Sequence, residues 1–181
     1  MSLDKDVERV LVTEEEIKEI CRRLGEEISR DYKGKKLLLV SVLKGAVVFM
    51  ADLMRSITCD CEIDFMSVSS YSGAKTTGVV KFKKDLDINP DGCDILLVED
   101  ILDSGITLAY LKNVLLDRNA ASIKVCAFLD KPANRQADIK ADYVGKVIPD
   151  EFVIGYGLDY NEKYRNLPYV VVLSPKVYAG K

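Results

Sequence analysis

The residues with the most chemical content lie in one run, Ile95-Leu96-Leu97-Val98-Glu99-Asp100-Ile101-Leu102-Asp103-Ser104-Gly105-Ile106-Thr107. A continuously apolar stretch of strand type ends in two carboxylates, and a third carboxylate precedes a Ser-Gly-x-Thr turn into a helix. At a helix start the backbone N–H groups are unpaired and carry the positive end of the macrodipole. Ser104 to Thr107 would therefore offer main-chain donors to an anion, with the Ser104 and Thr107 hydroxyls adding two more and Gly105 letting the main chain approach closely. That is a cradle for a phosphate monoester. Glu99 and Asp100, on opposite faces of an extended chain, could accept from vicinal hydroxyls of a sugar or hold Mg²⁺ through water. Asp103, between these acceptors and the cradle, is placed to receive a proton from a reacting partner.

Each residue has a plainer reading when taken singly: Asp103 or Ser104 as a helix N-cap, Glu99-Asp100 as a solvated acidic pair. The constellation in register after an apolar strand favours the functional reading. It is not a P-loop, since no G-x-x-x-x-G-K-[ST] occurs, and Gly155-x-Gly157 lacks the third glycine of a dinucleotide fingerprint.

Composition narrows the chemistry further. The 181 residues include no His, no Trp and five Cys, with 26 Lys plus Arg against 29 Asp plus Glu. A Ser-His-Asp or Cys-His nucleophile, a His-ligated metal and an imidazole base are excluded, so acid-base work near neutral pH falls to Asp, Glu, Lys, Tyr or Cys. With 48% apolar and 30% charged residues, the chain suits a single soluble domain. A net charge of −3 gives no global attraction to nucleic acid. Met1 to Val10 interleaves charged with single apolar residues, unlike a signal peptide, and Leu37 to Leu43 is too short to span a membrane. A cytoplasmic address is expected. Cys21, Cys59, Cys61, Cys93 and Cys126 are odd in number and lack zinc-ribbon spacing, so free, mostly buried thiols are expected.

The elements that must position the run are legible as patterns. Thr13-Glu14-Glu15-Glu16 reads as a capping box opening an amphipathic helix with Ile17, Ile20, Cys21, Leu24 and Ile28 on one face. Leu37 to Leu43 reads as a strand covered on both faces, and Ala46 to Met54, apolar nearly all round, as a buried helix. Cys61 to Val68 is a mixed strand. Ser69 to Gly78 is a small, polar loop of the length of an active-site lid, or equally a hairpin tip. Asp94 to Val98 and Ile123 to Leu129 are further strands flanking a helix from Thr107 to Leu116. Strand-helix-strand spacing implies right-handed crossovers, a mostly parallel sheet and ligands at the carboxyl ends of its strands.

Val98 to Thr107 resembles the phosphoribosyl pyrophosphate motif of type I phosphoribosyltransferases. More narrowly, the chain from about Val10 to Val172 is similar to bacterial hypoxanthine-guanine phosphoribosyltransferases. The narrower likeness rests on Leu43-Lys44-Gly45, Ser70-Tyr71, Asp130-Lys131-Pro132 and the run from Ile148 to Tyr160. The resemblance implies an α/β fold with a mostly parallel central sheet flanked by helices. It also implies one domain, residues 1–181, whose small hood comes from the N-terminal segment and the C-terminal part. The implied reaction transfers 5-phosphoribosyl from phosphoribosyl pyrophosphate to N9 of hypoxanthine or guanine, giving IMP or GMP and pyrophosphate with Mg²⁺. Its transition state resembles an oxocarbenium ion, so a chain without His can run it with Asp103 as proton acceptor.

By matching motifs, Glu99 and Asp100 would bind the ribose hydroxyls and one Mg²⁺ shell, and Asp159 a second. Asp103 would accept a proton from purine N7, and Asp103, Ser104, Gly105, Ile106 and Thr107 would cradle the 5′-phosphate. Lys44-Gly45, implied to be an unusual cis peptide, would offer a backbone N–H to pyrophosphate, and Arg165 would meet it. Ser70-Tyr71 and the following loop would close over the reaction. Lys131 would donate to purine O6, Phe152 would stack on the base, and Val153 would meet the purine edge with main-chain groups. The bland alternatives are a core Phe152, a solvated Lys131 and Arg165 on a plain helix face.

Two departures stand out: Ile106 fills a position where relatives often carry a basic side chain, and the segment Ala133 to Asp138 has no clear register. The competing functional readings are a non-catalytic, nucleotide-sensing RNA-binding regulator on the same fold, against which the acidic balance argues, and a xanthine-preferring enzyme. A homodimer or homotetramer is implied, with the helix from Ala46 to Ile57 as a candidate subunit contact; no nucleic acid or membrane partner is expected.

Overall fold

The computed structural model describes residues 6–70 and 80–178. Helix α1, Glu14–Asp31, starts at the expected capping box: the Glu16 N–H donates to Thr13 Oγ1 at 3.2 Å and the Thr13 N–H to Glu16 Oε2 at 2.8 Å. Ile17, Ile20, Cys21, Leu24 and Ile28 form its buried face. Gly25 belongs to that face because a Cβ there would come to 2.4 Å from the Ser56 carbonyl oxygen at the end of helix α2, Val47–Ser56.

Six strands form the main sheet in the order β4-β3-β2-β5-β6-β7. They are β2 (Leu37–Val42), β3 (Cys61–Ser70), β4 (Val80–Lys84), β5 (Asp94–Leu102), β6 (Ser122–Asp130) and β7 (Tyr143–Val147). Five run parallel, and β4 pairs antiparallel with β3 at the edge. Period-two alternation divides the core. Leu37, Leu39, Leu96, Val98, Cys126 and Phe128 face α1 and α2, whereas Leu38, Val40, Ile95, Leu97, Val125 and Ala127 face helix α3, Ile106–Leu116, through Leu108, Leu111 and Leu115. Burial on both faces explains why these strands read as unbroken apolar runs. A second sheet, all antiparallel, has the order β1-β9-β8 and joins β1 (Val7–Val12) to β8 (Val153–Ile154) and β9 (Val170–Leu173). A short helix α4, Pro175–Tyr178, follows.

Helix α2 is not buried all round: Phe49, Met50 and Leu53 face the core, but Val47 is 38% exposed and Ala51 is open to solvent. Only one face of this apolar helix has the sheet and α1 to cover it. Strand β5 runs on past Val98 to Leu102 because its pairing with β6 continues through Glu99↔Ala127, Ile101↔Leu129 and Leu102↔Asp130. Glu99 and Asp100 are thus held within the sheet. All five cysteines are free, Cys21, Cys93 and Cys126 buried and the other two half-buried. Among the described residues no helix is long and apolar enough to cross a membrane.

Candidate active site

The carboxyl ends of β2 and β5 and the start of α3 form a cleft of about 280 Å³ lined by Leu43, Gly45, Glu99, Asp100, Asp103, Ser104, Gly105 and Thr107. Helix α3 opens on Gly105 in the left-handed region, φ +76, with no side-chain cap. Neither Asp103 nor Ser104 caps the helix, and among the described residues no backbone carbonyl accepts from the N–H groups of Ser104 to Thr107. The carbonyls of this turn are tied on the opposite side. Ser104 O accepts the N–H groups of Gln136 at 3.0 Å and Ala137 at 3.1 Å. Nη1 of Arg135 donates to Leu102 O at 2.9 Å and also to Asp103 O, and its Nη2 is paired with Asp130. Because N–H and C=O of a peptide plane point opposite ways, bracing the carbonyls leaves the donors for an anion. This gives the segment 133–138 its place: it is the back wall of the turn that opens α3. Ile106 is 50% exposed and its side chain is not among those lining the cleft.

Glu99 and Asp100 are both half-buried. Burial pushes the Glu99 carboxyl well above its ordinary value, with the charge of Asp100 adding to it. Burial likewise pushes Asp100 up to about 6, a shift that the Ile101 N–H, donating to Oδ1 at 2.8 Å, opposes. Among the described residues no group of three or more His, Cys, Asp or Glu could hold a metal unaided. Two adjacent carboxylates whose charges are unfavourable alone suit Mg²⁺, which takes one or two protein carboxylates and completes its octahedron from water and substrate oxygens. Asp159 is oriented by two contacts: its Oδ1 lies 2.8 Å from Arg165 Nη2, and its Oδ2 accepts the Glu162 N–H at 2.9 Å.

The cis peptide lies between Leu43 and Lys44, one bond before the expected Lys44-Gly45. Gly45 packs against Asp100, and the Gly45 carbonyl packs against Gly157, where a Cβ would come to 2.1 Å from the oxygen. Lys44 reaches Glu162 Oε2 at 3.0 Å. Arg165 is no helix-face residue. It sits in a turn with positive φ at Asn161, Glu162 and Tyr164, and Nη1 donates to Gly157 O at 2.8 Å. Ser70 ends β3, and Tyr71 lies outside the described residues.

Lys131, only 8% exposed, places its ammonium 3.1 Å from Asp103 Oδ2 and 3.3 Å from Asp150 Oδ1. Asn134 Nδ2 donates to the same Asp150 oxygen at 2.7 Å. Asp103 Oδ1 is buried with no partner, an acceptor waiting for a donor. Phe152, 41% exposed, meets Tyr160 edge-on at 5.8 Å and the tilted ring of Tyr178 at 5.4 Å between centroids. Val153 follows it in β8, paired with Val172. Sequence reasoning missed Arg135, Asp150, Asn134 and Glu162. Each acts through contacts with distant chain segments, and the only local hint is the polarity of the segments that carry them.

A parallel sheet with an acidic strand end, an uncapped helix start braced from behind and a cation beside the third carboxylate define a type I phosphoribosyltransferase. The family model described as phosphoribosyl transferase domain matches residues 11–161, and the chain belongs to that family. It is 53% identical over 174 residues to the hypoxanthine-guanine phosphoribosyltransferase of Bacillus subtilis, covering 96% of this chain and 97% of the relative. The crystal structure of a hypoxanthine phosphoribosyltransferase from Staphylococcus aureus superposes with a TM-score of 0.95 at 49% identity, over 98% of this chain and 97% of that one. The chain also matches the bifunctional protein TilS/HprT of Listeria monocytogenes at 50% identity over 98% of its own length, spanning 28% of that longer protein.

Proposed function

We propose that the chain is a 6-oxopurine phosphoribosyltransferase of purine salvage, joining hypoxanthine or guanine to the ribose of phosphoribosyl pyrophosphate and releasing IMP or GMP and pyrophosphate. The observation that carries this reading is the pairing of Lys131 with Asp103 at 3.1 Å. Purine O6 and N7 are neighbours on one edge of the base, so an ammonium and a carboxylate side by side match the O6 acceptor and the N7 proton together. Adenine would turn an amino donor toward an ammonium that cannot accept, which disfavours it by mismatch.

The other groups follow from the same pose. The main-chain donors of Ser104 to Thr107 hold the 5′-phosphate, and Glu99 and Asp100 hold the ribose hydroxyls. Phe152 stacks on the base, with Tyr160 and Tyr178 fixing its ring. Val153 offers main-chain groups to the purine edge. The N–H of Gly45, with Arg165 nearby, meets the pyrophosphate, and Ser70-Tyr71 contributes to closure over the site. Glu99, Asp100 and Asp159 are the residues that would hold Mg²⁺, which when bound with the donor neutralises its pyrophosphate charge. Holding the ribose, managing the N7 proton at Asp103 and excluding water are the tasks of the protein itself.

We read the β1-β9-β8 sheet as the hood of a single domain, the protein as cytoplasmic, and the exposed face of α2 as a contact in a homodimer or homotetramer. Incubating the purified protein with hypoxanthine, phosphoribosyl pyrophosphate and Mg²⁺ yields inosine monophosphate and pyrophosphate in equal amounts. Absence of turnover with both hypoxanthine and guanine would overturn the reading.

A further inference from the structure

We infer that the hydrogen bond between Tyr156 and Asp52 positions the Lys44-Gly45 loop, and through it the grip on the pyrophosphate of the donor; the inference rests on the assignment of that loop to pyrophosphate made above.

Tyr156 stands between two glycines, and all three residues adopt positive φ: Gly155 +96, Tyr156 +51 and Gly157 +98. A bulky side chain in the left-handed region is disfavoured and persists only where surroundings hold it. Four anchors do so. The Tyr156 N–H donates to Leu167 O at 2.9 Å, the ring packs on Phe128 at 5.0 Å, and the hydroxyl lies 3.6 Å from Cys21 Sγ and donates to Asp52 Oδ2 at 2.7 Å. Of these hydrogen bonds the last is the one that ties this turn to α2, the helix that begins two residues after Gly45 and whose Val48 also packs against Gly157.

The turn in turn shapes the loop. Gly157 lies against the Gly45 carbonyl so closely that a Cβ would come to 2.1 Å from the oxygen, and Gly45 lies against the Asp100 carboxylate with a virtual Cβ at 1.8 Å. The placement of the Gly45 peptide, whose N–H is assigned above to the pyrophosphate, is therefore tied to where residues 155–157 sit. Asp52 and Tyr156 themselves line a different cleft, of about 660 Å³, together with Cys21, Val48 and Arg165. They do not border the reaction cleft, so neither is a catalytic residue. Both are positioning residues.

The test uses Tyr156→Phe, which deletes only the hydroxyl, Asp52→Ala, which removes the acceptor from the more exposed side, and Asp52→Asn, which retains an oxygen acceptor. Binding of pyrophosphate with Mg²⁺ is titrated calorimetrically, and KM for phosphoribosyl pyrophosphate and for hypoxanthine is measured separately. Loss of one hydrogen bond that orients the loop raises the pyrophosphate Kd and the donor KM about fivefold in Tyr156→Phe and Asp52→Ala, with hypoxanthine KM within about twofold of the parent and Asp52→Asn restoring most of the loss. A donor KM unchanged in both disrupting variants overturns the inference, as does a parallel rise in both KM values with a lowered melting temperature. Failure of the unmodified protein to turn over hypoxanthine would instead strike the functional assignment, which these ratios do not test.

Discussion

Oδ2 of Asp100 lies so close to the α-carbon of Gly45 that a methyl group there would come to 1.8 Å from it. The strand-end carboxylate and the loop that follows β2 thus fit together only through a glycine. Two chain segments more than fifty residues apart share one wall of the cleft, and neither can shift without the other.

Replacing Gly45 by Ala displaces either the carboxylate or the loop. A misplacement on the order of 1 Å at a reacting centre costs about 100-fold, so kcat/KM for the donor falls by about that factor. The fold itself depends little on this contact. Steady-state kinetics beside a thermal melt check both halves, and unchanged kinetics would show that the contact is dispensable.

Asp103 presents a buried, unpartnered oxygen beside the Lys131 ammonium. Asp103→Asn keeps the size of the side chain and removes the proton acceptor, so kcat falls by about 100- to 10,000-fold while binding of the donor is largely retained. Stopped-flow or quenched single turnovers, with donor affinity measured by calorimetry, separate the two. A kcat equal to that of the parent would exclude Asp103 as the base.

Lys131→Gln exchanges an ammonium for a group that can also accept. Hypoxanthine KM rises by at least about tenfold, the loss of a charge-assisted hydrogen bond, and discrimination against adenine narrows. Competition between the two bases in one reaction reads the ratio directly. Unaltered selectivity would remove Lys131 from base recognition.

Asp64 bears on stability rather than chemistry. It is 5% exposed in β3, and its oxygens accept the N–H groups of Phe65 at 2.7 Å, Asp87 at 2.7 Å and Ile88 at 2.9 Å. Burial alone would raise its pKa, but these three donors and the ammonium of Lys84 together hold the carboxyl below its ordinary value. A depressed folded-state pKa stabilises the fold above the unfolded value of about 4, and the contribution is lost as pH falls through the folded value. Urea midpoints between pH 7 and pH 3 therefore drop at the acid end in the parent. Asp64→Asn flattens that drop and costs about 1–3 kcal/mol at neutral pH, because one or two buried N–H donors lose their acceptor. An acid limb of equal steepness in both proteins would contradict this.

The part of this design that is local was legible in the sequence. The capping box of α1, the buried strands β2, β5 and β6 and the Glu99-to-Thr107 run each declare themselves by period, spacing or residue type within a dozen positions. What escaped is made by distance. Strands β1, β8 and β9 are short and gain their pairing from opposite ends of the chain. Arg135 and Asp150 matter only because folding brings them to the carbonyls of Leu102 and Asp103 and to Lys131. The near-uniform apolarity of α2 predicts a buried helix, yet one of its faces is left open. Hydropathy counts apolar residues, and cannot say which neighbour covers them.

The most direct measurement is the structure of the protein bound to inosine monophosphate. Its 5′-phosphate should lie on the main-chain N–H groups of Ser104 to Thr107, with purine O6 on Lys131, N7 toward Asp103 and the base stacked on Phe152. A nucleotide whose phosphate rests elsewhere, or whose base leaves Lys131 paired only with Asp103 and Asp150, would contradict the assignment of this cleft.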